Sequence, residues 1–210
     1  MKSGSLETTQ KPWDARLAAV LVRPLVDTPI TPNHITSLSL LLALIAAGLF
    51  ATGDPGISNW AAGLFILARF TDHMDGELAR MAGKTSTFGH WYDYVVGGLS
   101  HAALFLALGV GMSEAMLGAW AVPAGGFVAL FILLNMGLRM RMDRDYGSHT
   151  VSYPGTHGVD LEDTVYLLGP ITWLGGLEYF FLLGCFGTLC FALWTIVTFI
   201  ARRRGRPSAP

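Results

Sequence analysis

The chain has 210 residues, of which 52% are hydrophobic and 14% charged, with a formal net charge of -1 and a mean hydropathy of +0.47. Soluble domains carry roughly 25% charged residues, so this deficit excludes an ordinary soluble globular class and points to a membrane protein. The net charge gives no reason to invoke nucleic acid, and no nucleic-acid partner is expected.

In chain order, residues 1–11 are polar and expected to be loose, without the apolar core and cleavage site of a secretory signal. From 13 to 25, Trp13, Leu17, Val20 and Leu21 recur at helical spacing beside Arg16 and Arg23. Two readings fit: an amphipathic helix in the cytoplasmic interface, or a short helix packed on the rest of the protein. This arm is taken as 1–30. Pro32 resets the chain direction, and Asn33 or Thr36 is expected to cap the helix that follows.

Residues 28–53, 94–113, 115–138 and 179–201 contain no Asp, Glu, Lys or Arg, and each is long enough to cross a hydrocarbon core that needs about 20 helical residues. The runs 55–68 and 164–177 are shorter. Together they predict helices at 36–51, 59–81, 88–112 and 116–138, a short fifth interrupted by Gly169 and Pro170, and a sixth at 177–200. Pro123, Gly125 and Gly126 are expected to kink the fourth. The loop 139–163 carries Arg139, Arg141, Arg144, His149 and His157, with Asp160, Glu162 and Asp163 at the first turn of the fifth helix. The fold expected is an all-α polytopic bundle of six transmembrane helices over 31–201, preceded by a short amphipathic interfacial helix and followed by a basic tail, 202–210. Cys185 and Cys190 are read as packing residues.

All 14 basic residues fall in the N-terminal arm, the 69–84 hairpin, the middle loop or the tail, while the turns at 51–58, 111–115 and 175–178 have none. With six crossings this puts every basic residue on one side, which the positive-inside rule makes cytoplasmic, both termini included. The setting expected is the bacterial inner (cell) membrane.

The stretch from Asp72 to Arg80, continued to Asp93, sets three carboxylates and an arginine in its first nine residues beside apolar segments that cannot solvate them, and intramembrane charges of this kind mark function. On a helix Asp72 and Asp75 share one face, with Arg80 near it and His73 turned away to the interface. Asp93 comes from the next helix, so a hairpin closes three carboxylates around a hard divalent cation such as Mg²⁺. Gly76, Ala79 and Gly89 are small where helices approach closely or a ligand enters.

Asp72, Asp75, Gly76, Ala79, Arg80, Gly89 and Asp93 resemble the signature of the CDP-alcohol phosphotransferase family, D-x2-D-G-x2-A-R-x8-G-x3-D-x3-D, at seven fixed positions across 22 residues. The run Pro32-Asn33-His34-Ile35-Thr36 is similar to the same family's entry to its first crossing. The resemblance implies an enzyme of phospholipid biosynthesis. An alcohol attacks a CDP-linked donor, often CDP-diacylglycerol, and CMP leaves. It further implies that Asp72, Asp75 and Asp93 hold two Mg²⁺ or Mn²⁺ ions, and that Asn33, Gly76, Ala79, Arg80 and Ser86 meet the nucleotide. Also implied are a small alcohol acceptor, surrounding membrane lipids and a homodimer. Arg139, Arg141 and Arg144 would suit an anionic acceptor, but orientation signals and anionic-lipid contacts are the preferred reading.

The last motif position, where the family keeps a fourth aspartate and its general base, is Gly97 here. Another group replaces it, with His101 one turn on and His90 about a turn before Asp93 as candidates; or a metal-bound hydroxyl needs no protein base; or the fold persists without the reaction. The alternatives from other classes are a silent relative that binds CDP-lipid or a protein partner, and a small ion transporter, which the motif spacing does not support.

Overall fold

The computed structural model describes residues 13–115, 117–146 and 165–204, and these are helical throughout apart from turns. The helices are α1 (Trp13–Val22), α2 (Pro32–Phe50), α3 (Pro55–Met81), α4 (Thr87–Gly111), α5 (Ala121–Tyr146), α6 (Leu168–Trp173) and α7 (Leu177–Arg204). Among the described residues four segments are long and apolar enough to cross a membrane: Pro32–Phe50, Thr87–Gly111, Gly118–Asp145 and Leu177–Ala201. Helix α3 is long enough but is not among them. Its 27 residues span about 40 Å, and the acidic residues lie in its second half.

Side-chain caps fix where the helices begin. Asp54 accepts from the Ile57 N–H at 2.8 Å to start α3, and Ser86 accepts from the Gly89 N–H at 2.9 Å to start α4. Helix α2 starts four residues earlier than expected. Thr31 is its cap residue, its N–H donating to His34 Nδ1 at 3.3 Å, and Pro32 occupies the first turn, where a missing N–H costs nothing. Asn33 and Thr36 therefore lie inside the helix, and neither caps it.

The core is built on small side chains. Ala43, Ala46 and Ala47 of α2, Ala61, Ala62 and Ala68 of α3 and Ala107 of α4 are buried around Phe50, Phe65, Leu104 and Phe105. Without large side chains between them the helix axes approach closely, which is how helices associate where lipid removes the hydrophobic drive. Gly109 and Gly125 face each other between α4 and α5: a methyl group on Gly125 would lie 3.0 Å from the Gly109 Cα. Pro123 belongs to the first turn of α5, so the expected mid-helix kink is replaced by a continuous helix whose Gly125 is a packing contact.

Helix α5 continues to Tyr146, so Arg139, Arg141 and Arg144 are helical rather than in a loop. His149, His157, Asp160, Glu162 and Asp163 lie outside the described residues. Helix α6 has six residues and docks on α3, with Trp173 Nε1 donating to the Asn59 carbonyl at 3.1 Å. Helix α1 packs on α3 through Ala18 and Val22, leaving Leu17, Val20 and Leu21 exposed.

Candidate active site

The two helices of the hairpin bring the acidic groups together as the spacing predicts. One ligand oxygen from each of Asp72, Asp75 and Asp93 lies within 4.8 Å of the other two, with Asp75 buried and the others half-buried. Three carboxylates this close repel one another in a medium of low dielectric, and an all-oxygen donor set of this size suits a hard divalent cation. The residues present therefore fit the metal that the motif implies.

Each of the two α3 carboxylates is also held from the side. Asp72 receives Arg69 Nη1 at 2.8 Å and Ser39 Oγ at 3.1 Å, and Asp75 receives the Thr36 hydroxyl. Sequence reasoning missed Ser39, Arg69 and Thr36 as partners of these acids. The signal available was phase: Thr36 and Ser39 lie on the same α2 stripe as buried Ala43, Ala46, Ala47 and Phe50, where a hydroxyl requires a partner. Arg69 stands three residues before Asp72, within reach on a helix.

Arg80 pairs with Glu77 at 2.9 Å, the arginine side chain 60% exposed and the glutamate 2%. Its guanidinium lies over Gly76, where a methyl group would come within 3.4 Å of it. Asn33 and Ser86 meet at a neighbouring spot: a methyl group on Gly89 would lie 3.2 Å from Asn33 Oδ1 and 3.0 Å from Ser86 Oγ. Ala79 is half-buried on the same helix. Ser37 and Tyr92 join the starts of α2 and α4 through their hydroxyls at 2.9 Å, and Lys84 Nζ donates to the Thr28 carbonyl at 3.2 Å.

Behind the acidic group lies a cavity of about 930 Å³ between α3, α4, α5, α6 and α7. Its polar end is formed by Arg69, Asp72, Asp93, His101, Asn135 and Arg139, and its remaining wall is mainly apolar, with Phe105, Phe180 and Leu183 among its members. Of the expected site residues, Asp72, Asp93 and His101 line it, while Asp75, Asn33, Gly76, Ala79, Arg80 and Ser86 do not.

Gly97 also lines this cavity, and nothing lies within 4 Å of where its Cβ would be. His101 Nδ1 is 2.8 Å from the Gly97 carbonyl oxygen, and since a carbonyl only accepts, Nδ1 carries the hydrogen. Phe65 meets the imidazole edge-on, ring centres 6.1 Å apart. His90 is exposed, its ring tilted against Trp91 and edge-on to Tyr94, and is absent from the cavity wall. His73 packs edge-on against Tyr166. The three α5 arginines separate: Arg139 is 7% exposed, its guanidinium 5.8 Å from the Tyr94 ring centre and 5.9 Å from that of Phe191. Arg141 is 61% exposed, facing Asp145 at 3.9 Å, and Arg144 is exposed too.

Comparison with known proteins places the chain among relatives of one kind. The bifunctional IPC transferase and DIPP synthase of Rubrobacter xylanophilus is 33% identical over 100 residues, covering 48% of this chain and 22% of that protein. The archaetidylinositol phosphate synthase of Pyrococcus horikoshii is 34% identical over 91 residues, 42% of this chain and 46% of that protein. The chain thus matches less than half the length of either relative. The crystal structure of Mycobacterium tuberculosis phosphatidylinositol phosphate synthase with CDP-DAG bound has the same fold, with a TM-score of 0.69 at 18% identity over 88% of this chain and 94% of that one. Residues 29–199 match the CDP-alcohol phosphatidyltransferase family, and with the hairpin carboxylates converging as its motif requires, the chain belongs to that family as an integral membrane protein.

Proposed function

We propose that this chain transfers a phosphatidyl or related phospho-alcohol group from CDP-diacylglycerol, or another CDP-alcohol, to a hydroxyl of a phosphorylated polyol, releasing CMP in phospholipid biosynthesis. The observation that carries this reading is the convergence of Asp72, Asp75 and Asp93, two of which, Asp72 and Asp93, line a cavity that also holds a histidine and a buried arginine. The acceptor class is supported by two relatives named for inositol phosphate lipids, and by Arg139, whose buried charge is suited to an anionic group.

In this mechanism Asp72, Asp75 and Asp93 hold Mg²⁺ or Mn²⁺, two ions in all. When bound, the ions supply charge stabilisation to the diphosphate and its leaving oxygen. Arg80, over Gly76, together with Ala79, Asn33 and Ser86 meets the nucleotide, and the starts of α2 and α4 at Asn33 and Ser86 add backbone N–H groups that favour phosphate. Arg139 seats the acceptor's phosphate in the cavity. His101 Nε2 takes the proton of the attacking hydroxyl. The acceptor oxygen bonds to the phosphorus that carries the diacylglycerol, and the bond from that phosphorus to the bridging oxygen breaks, its electron pair leaving with CMP.

The same reading takes the bundle 31–201 as six crossings, with the arm 1–30 laying α1 in the interface through its exposed Leu17, Val20 and Leu21. It puts the termini and the 202–210 tail in the cytoplasm of a bacterial cell and pairs two copies as a homodimer. Detergent-purified protein given CDP-diacylglycerol, Mg²⁺ or Mn²⁺ and a pool of phosphorylated and plain polyols is expected to release CMP only when both metal and one alcohol are present. Metal-dependent donor binding without CMP release from any CDP-alcohol would instead identify a silent relative disabled at Gly97.

A further inference from the structure

The cavity contains a polar group that the reaction as derived does not use. Ile132, Asn135, Met136 and Arg139 lie at helical spacing on one face of α5, and all four line the cavity. Asn135 is 6% exposed, and among the described residues neither its amide nitrogen nor its amide oxygen has a hydrogen-bond partner. Burying such an amide unpaired costs stability on both sides of the group, in a helix where leucine would pack at no such cost. A ligand that meets it must both donate and accept. Hydroxyl groups do both, and a ring or chain of them presents a neighbouring pair to one amide.

We infer that Asn135 is an acceptor-binding and specificity-determining residue that reads hydroxyl groups of a polyol whose anionic end lies at Arg139, one turn along the same helix. Hydroxyls also occur on the donor's ribose, so the chemistry alone admits two sources. Position selects the acceptor: the motif residues that meet the nucleotide, Asn33, Gly76, Ala79, Arg80 and Ser86, lie outside the cavity wall, whereas Asn135 shares that wall with Asp72, Asp93 and His101. The inference rests on the proposed transferase reading for what the polyol is used for, but the binding itself does not need turnover.

The test uses the full chain in detergent with Mg²⁺ and CDP-diacylglycerol, comparing wild type with Asn135→Ala and Asn135→Leu, and myo-inositol 1-phosphate with glycerol 3-phosphate as acceptors. Both substitutions are expected to raise the KM for inositol phosphate by roughly tenfold to a hundredfold, with the KM for CDP-diacylglycerol unchanged and the preference between the two acceptors reduced. Without ligand, Asn135→Leu is expected to melt at or above the wild-type temperature, because it removes an unpaired buried amide. An unchanged acceptor KM, or a rise in donor KM instead, overturns the inference. If the wild type releases no CMP, thermal shift decides. Stabilisation of wild type by inositol phosphate that is lost in Asn135→Leu upholds the binding role while removing the transferase reading; no stabilisation of the wild type overturns both.

Discussion

The acidic end of α3 and the inner face of α5 border the same cavity but are built on opposite plans. At the α3 end the charged groups are provided for in advance: Asp72 by Arg69 and Ser39, Asp75 by Thr36, Glu77 by Arg80. On α5 the buried Asn135 amide has no hydrogen-bond partner among the described residues, and Arg139 lies against the rings of Tyr94 and Phe191. The first plan suits a task common to a whole family, gripping a cation and a diphosphate at fixed geometry. The second suits recognition of an alcohol that differs between members, where groups left for the ligand to satisfy supply discrimination. The comparison is sharpest where one side is broken without the other.

The largest effect is expected at the acidic end. Asp75→Asn and Asp93→Asn each remove a charge from the cation site while keeping side-chain shape. Each should take CMP release below detection while the protein stays monodisperse in detergent. Turnover surviving both substitutions would sink the metal assignment. Next is the base. His101→Ala should lower kcat by about a hundredfold to ten-thousandfold. Because nothing lies within 4 Å of a Cβ at position 97, Gly97→Asp can be accommodated, and in the His101→Ala background it should restore part of that loss. Absence of rescue would mean that α4 has been rebuilt around glycine, and a silent His101→Ala would return the role to a metal-activated hydroxyl.

Smaller still is the effect of removing a group that only steadies a ligand. Thr36→Val keeps the shape and deletes the hydroxyl that donates to Asp75. Partners of metal ligands are worth about tenfold to a hundredfold in metal affinity, so the Mg²⁺ concentration for half-maximal CMP release should rise by that factor with kcat at saturating Mg²⁺ little changed. A fall in saturating kcat with unchanged Mg²⁺ dependence would make Thr36 part of the chemistry instead.

The same two plans explain what could be read before the coordinates. The hairpin was legible because its chemistry is fixed in spacing: three aspartates within 22 residues of a charge-poor chain converge only if both segments are helical. The Asn33 and Ser86 neighbourhood was legible only through resemblance, since nothing in local sequence joins the start of α2 to the start of α4. The α5 face was misread because charge was taken to end a helix. Arginines do mark membrane borders, but a helix continues past one that turns into a polar cavity, and α5 runs through Arg139 to Tyr146. Asn135 stood as a lone amide in a run free of charges, which is the kind of residue an apolar helix keeps for a reason. The start of α2 was misplaced because Pro32 was read as a turn when it forms the first turn of the helix.

The least effect is expected at Arg141, and its contrast with Arg139 tests whether the cavity or the positive charge of α5 matters. Two residues apart on a helix point in different directions, and the exposures of 7% for Arg139 and 61% for Arg141 follow from that. Arg141 faces Asp145 at 3.9 Å, an exposed pair that contributes little. Arg141→Ala should therefore leave acceptor and donor KM within about twofold of wild type and shift stability by no more than about 0.5 kcal/mol. Arg139→Ala, measured alongside, should raise the KM for a phosphorylated acceptor and leave that for an unphosphorylated polyol nearly unchanged, because only the former loses a charge partner. If both substitutions weaken the acceptor equally, the arginines act as a diffuse basic field at the membrane surface. The split between Arg139 and Arg141 would then be one of burial without functional consequence.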